Sequence, residues 1–339
     1  MNQDNNKYDV VILDEGTIDE QVNLFSEVFH TITKDHWINK HYKNPLGKSI
    51  IFGVFIDNNL AGMNAFMPMR YKVNNTNLIM MQSCDSCVSL RYRRMGIWGS
   101  IIRHAMDYFK SEQNKVDALI GFPNYTNSYP GFLKAGWETV TFMHNYALVT
   151  HGDKLIKSLS LPVPSWIGRV ANIQSLFLHM LNKSRSGFSV IRETVKDGYI
   201  KEKDLLYLDI SQDWLKWKMD YSHQKSYIVT KSNEDIAGFI VQTCKKTGGT
   251  YSFMSSCVSY TDDDLLFKQA ISYFIRYISN DNDSFMIRLS SSNSKKYKGF
   301  GLIEILKHRR PFIVYPIKES YNSMLLDAKN WEISALSLD

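Results

Sequence analysis

Apolar residues first gather at Tyr8–Leu13, a short β-prone run, then recur at helical spacing at Ile18, Val22, Leu24, Phe25, Val28, Phe29 and Ile32. The chain therefore opens strand then helix. Ile50–Ile56 reads as a strand, Asp57-Asn58-Asn59 as a turn, and Leu60–Val73 as the hairpin partner, followed by another strand at Leu78–Leu90. A basic, glycine-containing turn at 91–99 leads into a helix with Ile101, Ile102, Ala105, Met106 and Phe109 on one stripe. Val116–Phe122 reads as a buried strand and Pro123–Tyr129 as a turn-rich loop. A short helix and a strand at Thr139–Val149 follow, completing an α/β (α+β) unit.

The second half echoes the first. Asp35-His36-Trp37 leads, 25 residues after the Trp, to Ala61-Gly62, and Asp213-Trp214 leads, 24 residues after its Trp, to Ala237-Gly238. Both copies reach the same tripeptide, Cys87-Val88-Ser89 and Cys257-Val258-Ser259, and then a helix, at 98–112 and about 263–279. With 339 residues the chain exceeds the roughly 250–300 at which single cores stop growing. Two related domains are expected, at 1–150 and 201–339, joined by a helical segment at 151–200. Within that segment Trp166, Ile167, Val170, Ile173, Phe177, Met180 and Leu181 form one apolar stripe. Docking on the protein's own core is the expectation. Peripheral membrane contact is the alternative, because Lys154, Lys157, Lys183 and Arg185 flank the stripe.

Composition narrows the class. A chain with 44% hydrophobic and 22% charged residues is globular, which excludes a mainly disordered or fibrous protein. Residues 1–150 hold 14 Lys+Arg and 14 Asp+Glu, so the net charge of +6 belongs to the remainder. Lys295, Lys296 and Lys298, then Lys307, His308, Arg309 and Arg310, favour an anionic partner, with solvated surface as the alternative. Nucleic acid is not expected, since zinc-finger spacing, aromatic RNA-binding signatures and long basic runs are all missing. The pattern fixes no oligomeric state. Four cysteines and a start without a signal-peptide pattern lead to an expected cytoplasmic location with reduced thiols. Cys84 and Cys87 are read as facing opposite sides of a strand, so no metal is expected.

The most informative stretch is VSLRYRRMGIWGS, Val88–Ser100, between a strand and a helix. A glycine there lets backbone N–H groups approach an anion, and the helix points its partly positive end at the same place. Arg91, Arg93 and Arg94 add forked donors suited to phosphate oxygens.

This stretch resembles the acetyl-CoA-binding motif of the GNAT N-acetyltransferase superfamily, Q/R-x-x-G-x-G/A, with Arg93, Gly96 and Trp98 at its named places. Trp98 stands where the motif has a small residue. The loop GFPNYTNSYPGFLKAGW, Gly121–Trp137, resembles a branch found with bacterial surface-polysaccharide enzymes. The resemblance implies tandem GNAT-like domains, each a mixed, mainly antiparallel sheet flanked by helices, the second without a cofactor motif. It implies acetyl-CoA as co-substrate, held by Val88 and Leu90 backbone N–H groups, by Arg93, Arg94, Met95, Gly96, Ile97, Trp98, Gly99 and Ser100, and by Asn124 and Asn127. The two asparagines read equally as turn residues.

Amine acetylation needs a neutral nitrogen, a stabilised oxyanion and a proton for the leaving thiolate. Asp85 is the nearest carboxylate able to act as base, and a structural hydrogen bond explains it equally well. The family's acid tyrosine place holds Phe132, so Tyr129 is the candidate acid, with Tyr125 behind it, and packing of either ring against the cofactor or the core is the reading set against that role. The implied activity is N-acetylation of a small-molecule amine, a nucleotide- or carrier-linked and phosphorylated amino sugar being the expected class. Peptidoglycan-type aminoacyl transfer and a catalytically silent binding module are the alternatives.

Overall fold

The computed structural model describes residues 7–112, 115–158, 187–197, 199, 204–246, 249–280, 284–293, 297 and 300–338, with the backbone alone at 158, 246, 307 and 308. The apolar stripe at 166–181 and Lys295, Lys296 and Lys298 lie outside the described residues, as do the side chains of Lys307 and His308. The peripheral-membrane reading rests on that stripe.

The strands are β1 (Val11–Leu13), β2 (Ile50–Ile56), β3 (Asn59–Val73), β4 (Thr76–Val88), β5 (Ala118–Gly121), β6 (Glu138–Val149) and β7 (Phe188–Ile191). They continue as β8 (Leu206–Leu208), β9 (Gln224–Lys231), β10 (Glu234–Lys246), β11 (Gly249–Ser259), β12 (Ser284–Ser291), β13 (Ile303–Pro316) and β14 (Trp331–Glu332). The helices are α1 (Ile18–Val28), α2 (Lys34–Tyr42), α3 (Ile97–Ser111), α4 (Tyr129–Lys134), α5 (Gly152–Ser158), α6 (Gln212–Ser222), α7 (Asp264–Ser279) and α8 (Asn322–Leu325).

Two compact units divide the chain. The first comprises Met1–Phe142, Asp204–Tyr221 and Arg310–Trp331, the second Met143–Lys203, Ser222–Arg309 and Glu332–Asp339. The continuous ranges 1–150 and 201–339 therefore do not coincide with the compact units. The reason is in the sheets. In the first unit the order is β1-β2-β3-β4-β5-β13, and in the second β7-β9-β10-β11-β12-β6. The last strand of each comes from the other half of the sequence: Ile313 faces Gly121 on β5, while Tyr146 faces Leu289 on β12. Helix α6 likewise packs in the first unit, where Trp217 Nε1 donates to the Asn39 carbonyl at 2.6 Å.

Each unit is mainly antiparallel with one parallel pair, β4 with β5 and β11 with β12. The first hairpin of each copy turns through two left-handed residues, Asp57-Asn58 (φ 50° and 61°) and Ser232-Asn233 (φ 52° and 67°). Such turns match strand twist. Gly62 faces Val88 and Gly238 faces Val258, so the echoed residues share one register. In the first unit α1 and α2 cover one sheet face through Leu24, Phe25 and Trp37, against Ile51, Met63 and Cys87. Helices α3 and α4 cover the other through Ile101, Phe109 and Phe132, against Phe52, Phe66 and Leu119. In the second unit α7 buries Ile271, Phe274 and Ile275 against Phe239 and Ile287.

Candidate active site

Strand β4 ends at Val88, and the chain turns through residues 89–96 into α3. Gly96 starts that helix at φ +87°, a left-handed conformation that favours glycine, and no side chain caps the first turn. The N–H groups of Ile97, Trp98 and Gly99 thus lie in an uncapped, partly positive helix start. Ile97 is buried against Gly62, where an added Cβ would fall 2.9 Å from Ile97 Cγ2. Ser100 is buried behind them, donating to the Gly96 carbonyl at 3.1 Å. Tyr8 Oη donates to the Met95 carbonyl at 2.9 Å, which ties the loop to the chain's start. Arg91, Arg93 and Arg94 are all exposed, and none has an acidic partner among the described residues. Three unneutralised guanidinium groups around an open helix start fit a pyrophosphate.

The packing explains Trp98. Its ring lies against α4, so that a Cβ at Gly131 would fall 2.5 Å from the indole, and it meets Phe132 edge-on at 4.9 Å. Its Nε1 donates to Ser86 Oγ at 2.6 Å. The aromatic residue links α3 to α4 and to β4. Phe132 is buried between Trp98 and Trp137, so a tyrosine hydroxyl at this place would enter an aromatic core.

Beside this cradle the sheet splays. Parallel pairing of β4 with β5 runs only from Met80–Ala118 to Ser83–Gly121, while β4 continues to Val88. On β4 a bulge sets Asp85 and Ser86 opposite the single residue Asn64, and Asp85 takes φ +47°. This strained turn aims Asp85 at α2. Its Oδ2 accepts from His41 Nε2 at 2.9 Å and from Lys40 Nζ at 2.6 Å. His41 is fully buried, and its Nδ1 meets Ser49 Oγ at 3.0 Å. Hydrogen bonds on both ring nitrogens, to Asp85 and to Ser49, fix the orientation of the imidazole.

The bulge also corrects the reading of Cys84 and Cys87. Cys84 pairs with Ala65 and Cys87 with Met63, two residues apart on β3, so both thiols face the α1–α2 side. The extra residue in the bulge restores them to one face. Burial pushes the Cys87 thiol up, with Asp85 and Glu27 adding to the effect, so it stays a thiol. His41, Cys84 and Asp85 offer three ligand atoms within 4.8 Å of one another. A cation placed among them would meet the Lys40 ammonium already on Asp85, and that charge opposes it.

Other candidate residues are placed differently from expectation. The Leu90 N–H is not open to a cofactor, because Glu27 Oε1 accepts it at 2.9 Å together with Ser89 Oγ. Val88 lies on the splayed end of β4. Asn124 Oδ1 accepts from the Thr126 N–H and hydroxyl at 3.0 and 2.8 Å, and Asn127 Oδ1 accepts from the same hydroxyl at 3.3 Å, as in a loop that braces itself. Tyr129 Oη shares a hydrogen bond with Thr139 Oγ1 at 2.7 Å, and its ring stacks on Tyr125. In the C-terminal basic cluster Arg309 is tied to Glu304 at 2.6 Å, whereas Arg310 is exposed, with partial desolvation pulling its guanidinium down. Arg309 is therefore not presented as a free anion-binding group, while Arg310 has no acidic partner among the described residues. His144 holds the Glu304 carboxyl below the usual carboxylate range, with Arg309 adding to it.

The second unit repeats the framework without the carboxylate or the uncapped helix start. Its bulge falls at Ser255, the position matching Asp85, and Asp263 caps α7 by accepting from the Leu266 N–H at 3.0 Å. Tyr260 Oη accepts from Lys196 N and donates to its carbonyl, which places residues 195–196 beside Gly238. Burial pushes the Tyr260 hydroxyl up to about 12.

This geometry, a splayed sheet beside an open helix start, falls between residues 80 and 121 of the first unit. Residues 10–140 match the family model described as an acetyltransferase (GNAT) domain. Among solved structures, a probable N-acyltransferase of unknown function from Enterococcus faecalis V583 aligns with TM-score 0.64 and 14% identity, over 92% of this chain and 73% of that one. A GCN5-related N-acetyltransferase from Anabaena variabilis gives 0.59 and 14%, over 95% and 75%. A tandem GNAT protein from the clavulanic acid biosynthesis pathway gives 0.55 and 11%, over 92% and 99%. At these identities the likeness is one of fold. No curated protein matches the sequence. Residues 10–140 therefore carry a GNAT acetyltransferase domain, and the chain as a whole has a mixed α/β fold like that of the tandem GNAT protein.

Sequence reasoning missed α2 as a helix, and with it Lys40, His41 and the support from Ser49. The one available signal was the Asp35-His36-Trp37 echo, read as a marker of duplication. Glu27 was also missed, since an acidic residue on an amphipathic helix looks like solvated surface.

Proposed function

We propose that the protein transfers the acetyl group of acetyl-CoA to the amino group of a nucleotide- or carrier-linked sugar in surface-polysaccharide biosynthesis, in the cytoplasm. The uncapped α3 start with three unneutralised arginines carries the cofactor half of this reading. The acceptor half is supported by the resemblance at Gly121–Trp137. Among the described residues no helix is long and apolar enough to cross a membrane.

In this reading acetyl-CoA supplies the activated acyl group, and its pyrophosphate lies on the first turn of α3. Asp85 takes the proton from the acceptor ammonium, directly or through water. His41 and Lys40 keep that carboxylate oriented. Backbone N–H donors at the splayed end of β4, near Val88, stabilise the oxyanion. Tyr129, braced by Thr139, supplies the proton to the thiolate.

The acceptor is tested by measuring acetyl transfer to a panel of nucleotide-linked amino sugars, free amino sugars and simple alkylamines. A kcat/KM for a nucleotide-linked amino sugar at least about 100-fold above its free counterpart, near 2.7 kcal/mol of extra transition-state binding, is the expected result. Equal values for the two would remove the carrier from the reading. Calorimetry on the whole chain is expected to report one acetyl-CoA site. Asp263 blocks the α7 start, so a second site would refute the division of labour between the copies.

A further inference from the structure

The ammonium of Lys40 already occupies the place of a substrate. Its Nζ stands 2.6 Å from Asp85 Oδ2, with only about a tenth of either side chain exposed. The carboxylate in question is the assigned base, on the bulged segment of β4 where pairing with β5 has ended. An acceptor amine must approach this same carboxylate to lose its proton. Lys40 is thus held where the enzyme handles nucleophilic nitrogen.

We infer that Lys40 is an intramolecular acceptor: the protein acetylates its own Lys40 Nζ from acetyl-CoA. The inference rests on the assignment of Asp85 as base. One proton passes from the Lys40 ammonium to Asp85, and the freed nitrogen lone pair forms the C–N bond to the thioester carbonyl carbon. The C–S bond breaks, the sulfur leaves with the nitrogen's second proton as CoA thiol, and Asp85 returns its proton to solvent. The products are an amide at Lys40, CoA and one released proton. Acetylation neutralises the ammonium, so the Asp85 ion pair exists only in the unmodified protein.

The test incubates the full chain with isotope-labelled acetyl-CoA and no acceptor, then follows each lysine by peptide mass spectrometry. Exposed lysines, such as Lys48 and Lys115, report uncatalysed acetylation. Lys40 is expected to gain one acetyl group at least about tenfold faster than either, a small part of what proximity supplies. Its rate should be first order and independent of protein concentration. In Lys40→Arg the signal from that peptide should vanish while acetyl-CoA still raises the melting temperature, which confirms a folded protein. Labelling of Lys40 no faster than of Lys48 and Lys115 would overturn the inference, whatever happens to added amines. The two assignments separate in Asp85→Asn. Lys40 labelled there at the wild-type rate refutes Asp85 as base and keeps Lys40 as acceptor. Loss of amine turnover in Asp85→Asn, with wild-type Lys40 unlabelled, keeps the base and refutes the acceptor.

Discussion

Asp85→Asn is expected to lower turnover at saturating acetyl-CoA by about 10²–10⁴-fold, the usual contribution of a general base, with the affinity for acetyl-CoA little changed. The substitution has a structural cost that must be separated from the chemical one. Asparagine would leave Lys40 charged and buried opposite a neutral amide, and breaking a buried pair from one side costs about 3–5 kcal/mol. The double variant Lys40→Met with Asp85→Asn removes the orphaned charge, and should recover most of the melting temperature without recovering turnover. Tyr129→Phe, which loses only the hydroxyl shared with Thr139, is expected to lower turnover by about 10²-fold. Steady-state rates together with thermal melts decide the matter. A double variant that regains both stability and turnover would show that Asp85 is a structural partner of α2 and takes no proton.

The legible parts of the fold were those where burial and periodicity agree. Ile50–Ile56 has the same bounds in the sequence pattern and in the structure, because the run is bordered by a turn whose Asp57 and Asn58 accept left-handed backbone. Helix α3 was legible for a related reason, since its five marked apolar positions all enter one core. Helix α2 hid because its buried face carries Lys40 and His41 beside Trp37, and buried polar residues erase an apolar stripe. The geometry of Asp85 was hidden by the bulge. Strict alternation along β4 sends Cys84 and Cys87 to opposite faces, and one extra residue in the ladder brings them together and turns Asp85 toward His41. The interleaving of the two units depends on which strand closes each sheet, and no local pattern in β6 or β13 specifies a distant partner.

Comparison of the copies shows which features belong to the framework and which to the site. Both keep the left-handed hairpin, the glycine opposite a valine, and a bulge at the matching place. Only the first keeps a carboxylate at the bulge and an uncapped glycine start on the following helix. A bulge with Ser255 and a helix capped by Asp263 retain the shape of the splay and lose its charge. The two copies therefore differ in a few residues on a framework that forms with or without them.

The cofactor site is tested most sharply by reversing its charge. Arg93 and Arg94 are exposed, and no acidic partner holds them among the described residues, so Arg93→Glu with Arg94→Glu should leave folding almost unchanged. A hydrogen bond to a charged group contributes about 1.5–3 kcal/mol, and every 1.4 kcal/mol is tenfold, so losing even one phosphate contact raises the Kd for acetyl-CoA at least about tenfold. Losing both, with repulsion added, should raise it by about 10²-fold or more. Acetyl-N-acetylcysteamine provides the control, since it carries the thioester and lacks the pyrophosphate. Its kcat/KM should be the same in the double variant and the wild type, because Asp85 and the splay are untouched. An equal loss on both donors would mean that the arginines support the fold, and an unchanged Kd for acetyl-CoA would move the pyrophosphate away from α3 altogether.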